Sequence, residues 1–162
     1  MERLAEEELG EGVLVEELHY GAVAVAQRLE ELRPDRLILV GAVARGRPPG
    51  TVERRAVEPI PLDTAEFQAA IGDAVTGYVG IDLVVEVASG FGALPAETVT
   101  IEVEPARVEP SETLSAEAIE GLEQALELVR RELARGRPDS EAERPAAVPR
   151  PSPAPTNRRP TS

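Results

Sequence analysis

Apolar positions in this chain follow two rhythms. In "AVAVAQRLEELRP", Val25, Leu29 and Leu32 recur at spacings of four and three, with Gln27, Arg28, Glu30 and Glu31 between them. That spacing predicts an amphipathic helix ending before Pro34. The rhythm returns in "LSAEAIEGLEQALELVRREL" through Ile119, Leu122, Leu126, Val129 and Leu133. Ser115 stands there at the cap position, acid fills the first turn and arginine the last, as a helix dipole favours.

The second rhythm is that of strands. "VLVEE" at residues 13–17 is short and β-branched, and a turn around Tyr20 and Gly21 follows it. "RLILVGAV" is almost continuously apolar, the pattern of a strand covered on both faces in a parallel sheet. "ARGRPPG" breaks it and reads as a hairpin connection to "TVERRAVEPI", a returning strand, while "ETVTIEVEP" is a strand ended by Pro105. Residues 59–71 carry only a weak pattern. "TGYVGIDLVVEVAS" is rich in glycine and β-branched residues, but the "GFGALP" after it looks like a helix stop, so residues 76–89 are predicted helical. Strands alternating with helices predict an α/β domain: three layers, with a mostly parallel twisted sheet between helices.

Composition then sets the boundary. The chain has 162 residues, enough for one domain with its own core. From Gly136 onward it holds almost half the prolines and no aromatic, Ile or Leu. Such a segment buries too little apolar surface to offset its ordering entropy, so residues 1–135 are expected to form the domain and residues 136–162 a disordered tail. "PRPSPAP" within it has the P-x-x-P character of a docking peptide, although such strings are common in tails.

Charge and residue usage exclude several classes. A formal net charge of -13 opposes attraction to nucleic acid or anionic membranes. There is no cysteine, hence no disulfide, thiolate metal site or cysteine nucleophile. The acidic amino terminus, "MERLAEEELGEG", lacks the basic and apolar regions of a signal peptide, and no apolar run is long enough to span a bilayer. A soluble cytoplasmic protein is expected. "GAVARGRPPG" has neither the G-x-G-x-x-G nor the P-loop order, there is no lysine, and no serine sits in a G-x-S-x-G elbow.

The order of these pieces is informative. "DRLILVGAVARGRPPGTVERR", a helix running into "FGALP", and "VTIEVEPARVEPSETLSAEAIEGLEQALELVRREL" follow one another. In that order they resemble the hydrogenase maturation proteases, endopeptidases that trim the C-terminal extension from the large subunit of nickel-iron hydrogenases. The resemblance covers about residues 13–133. Its most specific parts are the apolar strand with "PPGTV" after it, "GALP", and Glu104-Pro105 followed by Leu114-Ser115.

The family recognises nickel in its immature substrate through a Glu, an Asp and a His. The resemblance puts the Asp at the end of "LILVGAV", where this chain has Gly41. It puts the His at the head of the helix before "GALP", on or near Gly77, and neither Thr76 nor Tyr78 is histidine. The Glu belongs to an N-terminal unit, a strand with a Gly-x-Gly-Asn type loop. This chain is expected to start after that unit, leaving the family's first strand missing. Glycine offers no lone pair to a divalent cation. The resemblance therefore implies no cofactor or metal of the chain's own and a hydrogenase large-subunit precursor as partner. It also implies weak or lost proteolysis, or a binding or chaperone role in its place.

Substitute groups are few. His19, the one histidine, lies near Glu16 and Glu17, and Asp73 and Asp82 lie near the position expected for the family histidine. A solvated turn histidine and surface aspartates are the simpler reading, and the sequence identifies no carboxylate pair that would share a proton. A missing interior strand leaves three resolutions: direct pairing of the strand at 13–17 with that at 37–40, a partner filling the gap, or a reading frame that begins upstream.

Overall fold

The computed structural model describes residues 9–18, 20–75, 80–107 and 115–135. Seven elements follow one another: α1 (Ala22–Leu32), β1 (Arg36–Ala42), β2 (Val52–Val57), α2 (Thr64–Val75), α3 (Ile81–Gly90), β3 (Glu97–Val103) and α4 (Ala116–Arg135). The strands form a sheet in the order β1-β3-β2, with β3 parallel to β1 and antiparallel to β2. The domain is thus mixed α/β, and β2 does not form the expected hairpin with β1. The connection at 43–51 instead passes over the end of β3: the Val43 N–H donates to the Val103 carbonyl, the Gly50 N–H to the Glu104 carbonyl, and the Glu104 N–H to the Thr51 carbonyl.

Side chains on β3 alternate between two cores. Val99 and Ile101 meet Ala125, Leu126 and Val129 of α4, with Ile38 and Val52 at the margin. The opposite face lies under α1, α2 and α3, where Val25, Leu29, Ala70, Val84 and Val87 pack with Leu39. β3 is covered on both sides as a result, which is why Thr98, Thr100 and Glu102 are buried although their alternation with valine suggests a wet face. On the α4 side, buried Glu132 accepts hydrogen bonds from Arg36 on β1 and Arg54 on β2, tying both outer strands to one helix.

Caps account for the element boundaries. α1 ends with Arg33 in the left-handed region (φ 45), its N–H bonded to Leu29 O at 2.8 Å. Ser115 Oγ accepts from the Ala118 N–H at 3.2 Å, confirming the cap of α4. The buried stripe of α4 runs through Gly121, Ala125, Leu126, Val129 and Glu132, whereas Ile119 is exposed. This rotation from the expected stripe follows from Gly121, whose missing side chain lets α4 sit against Val103 and Gly50.

A second expectation fails besides the hairpin. Residues 13–17 form no strand and do not pair with β1; Val15 joins the α4-side cluster, and Val13 and Leu14 are exposed. A β-branched run acquires strand geometry from a ladder partner, and this one has none among the described residues. Residues 64–75, in the weakly patterned stretch, form α2. The tail and the P-x-x-P string lie outside the described residues.

Candidate functional site

β1 and β3 run in parallel, so their carboxyl ends meet beneath the start of α3. Gly41 is paired with Glu102, and Glu102 with Glu53, so these positions form one row across the sheet. Above the row stands α3, whose first residues are Ile81 and Asp82. A Cβ at Gly41 would lie 3.2 Å from Ile81 Cδ1. A side chain at Gly41 would start against the tip of the Ile81 side chain, which would have to give by a few tenths of an ångström.

Next to it is a lattice of charges. Glu102 is 1% exposed. It accepts from Arg45 Nη2 at 2.9 Å, Arg47 Nη2 at 2.7 Å and Arg55 Nη1 at 3.2 Å. Arg45 also forks onto Asp82, with Nη1 to Oδ2 at 2.9 Å and Nη2 to Oδ1 at 2.7 Å. One guanidinium therefore bridges the first turn of α3 to the central strand, in the planar two-pronged geometry that arginine favours with carboxylates.

Glu104 has a different role. Its carboxylate accepts the backbone N–H of Arg45 at 2.9 Å and of Gly46 at 3.0 Å, and Arg47 Nε reaches it at 3.3 Å. Arg47 also pairs with Glu53. The Arg45-Gly46-Arg47 turn is thus folded onto the ends of β3 by two acids two residues apart.

Protonation follows from these contacts. Hydrogen bonds from Arg45, and then Arg47, prevail over desolvation and hold the Glu102 carboxyl at about 2. Burial pushes Glu104 up, but the amides of Arg45, Gly46 and Arg47 outweigh it and leave the group below the usual carboxylate range. Arg45 is raised, by Glu102 first and Asp82 second. A carboxylate held this far down is a weak proton acceptor at neutral pH, so the lattice suits anchorage of a loop better than general acid or base work. Among the described residues no group of three or more His, Cys, Asp or Glu is placed to hold a metal ion.

The residues singled out in the sequence are not brought together. Asp82 is taken up by Arg45. Glu16 is paired with Arg28 of α1 at 2.7 Å and accepts from the Tyr20 hydroxyl at 3.3 Å. The Arg28 hydrogen bond, ahead of desolvation, keeps the Glu16 carboxyl below its ordinary value. His19 and Gly77 lie outside the described residues, and Asp73 is on α2. A cleft of about 390 Å³, lined by Leu29, Arg33, Leu94 and Pro95 among others, opens at the opposite end of the strands.

Arg45, Arg47, Arg55 and Glu102 were not singled out from the sequence. The available signal was the pattern "TVTIEVE", in which Thr98, Thr100 and Glu102 share a face, combined with arginines concentrated at 45–55.

No family model and no curated protein matches the chain. Among solved structures, a hydrogenase 2 maturation peptidase from Thaumarchaeota archaeon SCGC_AB-539-E09 shares its fold, with a TM-score of 0.56 and 23% identity over 82% of this chain and 83% of that one.

Proposed function

We propose that this chain acts in hydrogenase maturation, on the precursor of a nickel-iron hydrogenase large subunit, and that it holds this precursor rather than cutting it. The shared fold with a hydrogenase 2 maturation peptidase supports the first part. The second rests on one observation: at the strand end where the family resemblance calls for a nickel-directed Asp, Gly41 lies under Ile81, and Asp82 and Glu102 beside it are spanned by Arg45. A divalent cation on the substrate needs open lone pairs converging on it. Here those lone pairs are directed at guanidinium protons, so the residues present do not fit nickel recognition.

Rearranged catalysis through Glu16 finds no support, because Arg28 and Tyr20 already occupy its carboxylate. A cytoplasmic location belongs to the same proposal; among the described residues no helix is long and apolar enough to cross a membrane.

The test is direct. Purified chain is mixed with nickel-loaded large-subunit precursor, and the precursor's C-terminal mass and its co-elution with the chain are followed together. Co-elution with an unchanged mass is expected. A truncated product would overturn the holding role, and absence of both interaction and cleavage would overturn the link to hydrogenase maturation.

A further inference from the structure

The two outer strands of the sheet are built differently. β2 carries Glu53, Arg54 and Arg55 in succession, the charged edge that deters pairing with another chain. β1 reads Arg36-Leu37-Ile38-Leu39-Val40-Gly41-Ala42, and it pairs with β3 over all seven residues without a bulge. Arg36, its one charge, is turned onto Glu132 of α4. Among the described residues the other edge of β1 has no ladder partner. β1 thus has no proline, no bulge and no unpaired charge to protect that edge.

Backbone parity shows which groups face outward. In a parallel ladder one residue directs both its N–H and its C=O to the same neighbour, and the next residue directs them away. The Val43 N–H donates to Val103 O, so the odd-numbered residues of β1 serve β3. Arg36, Ile38, Val40 and Ala42 present their amide and carbonyl groups to the open side.

We propose that this edge pairs with β1 of a second copy of the chain, antiparallel and centred on Leu39, to make one continuous six-stranded sheet across a two-fold axis. The strand is self-complementary in that register. Ile38 falls opposite Val40 of the other copy, Arg36 opposite Ala42, and Leu37 opposite Gly41. Every outward amide and carbonyl gains a partner, Leu39 meets Leu39 of the other copy at the axis, the flanking pairs are apolar or set Arg36 against alanine, and no like charges oppose each other. Val40, 36% exposed in a strand otherwise largely covered, becomes an interface residue. A two-fold contact of this kind closes on itself and leaves only the charged β2 edges outside.

Sedimentation velocity on the full chain, from low-micromolar concentration upward, is expected to show a species of twice the 17.3 kDa chain mass. Val40→Lys is expected to weaken it roughly tenfold or more, since lysine on an edge strand opposes pairing. Ala56→Lys on β2 should leave it unchanged. The chain has no cysteine of its own, so Ile38→Cys and Val40→Cys chains can be mixed and oxidised, and the disulfide-linked dimer is expected to form preferentially between unlike variants. A wild-type chain that stays monomeric, a dimer indifferent to Val40→Lys, or cross-links formed only between like variants would each overturn the proposal.

Discussion

Glu102→Ala is expected to cost about 3 kcal/mol of folding free energy, in the range found when one partner of a buried ion pair is removed and the other is left uncompensated. The effect is large because Glu102 neutralises Arg45, Arg47 and Arg55 together, from a position on the central strand that water does not reach. Arg45→Met should cost less, since Arg47 and Arg55 remain on Glu102. The same carboxylate sets an acid limb. Its folded-state value of about 2 lies below the ordinary 4.5, so the unfolded chain binds the proton more readily. The contribution is complete above about pH 4.5 and is lost as pH falls toward 2. Thermal unfolding followed by circular dichroism across this window should show a decline that is shallower in Glu102→Gln. Glu104 and Glu132, lowered in the same direction, maintain the remaining slope. An equal slope in the wild type and the variant would contradict this assignment.

Gly50→Ala is expected to be comparably damaging, by about 3 kcal/mol, through strain and overpacking together. Gly50 has φ +79, and a Cβ there would stand 2.7 Å from the Glu117 carbonyl oxygen of α4. Both partners are backbone, so relief requires the loop or the helix to move. The loop is held by the Gly50 N–H donating to Glu104 O at 2.9 Å. Gly46 provides the comparison, with φ +78 and nothing within 4 Å of its added Cβ. Gly46→Ala should cost only the conformational part, about 1 kcal/mol. Urea unfolding of the two variants separates strain from contact, and equal losses would contradict the close approach of α4.

Much of the fold was legible where structure is local. α1 and α4 follow from three-four spacing, and the stop after α3 from "GFGALP". α2 was missed because alanine surrounds its few large apolar residues, yet a local signal existed. In "DTAE", Asp63 Oδ1 accepts from the amides of Ala65 and Glu66 while Glu66 Oε2 accepts from the Asp63 N–H, a reciprocal capping box. The strand expected at 13–17 failed for the opposite reason: its composition suits a ladder, but no neighbour supplies one. Strand order was likewise beyond local reading. β2 follows β1 closely in sequence, and only the distant β3, inserted between them, reveals which edge each strand occupies.

The site was legible only as a vacancy. Gly41 stands where the family resemblance calls for a ligand, and the fold shows what surrounds it. Ile81 packs over it, and the acids beside it, Asp82 and Glu102, are engaged by Arg45, 37 and 57 residues away in sequence. Pairings at such separation leave no periodic trace in the chain.

The proposal that Arg45 takes up the acids beside Gly41 and leaves none for nickel is tested by the affinity of the intact chain for the ion. Titration of nickel(II) into purified protein by calorimetry is expected to give no saturable sub-micromolar event. A stoichiometric, sub-micromolar site abolished by Asp82→Asn would show that the guanidinium yields to a metal, and would contradict the account.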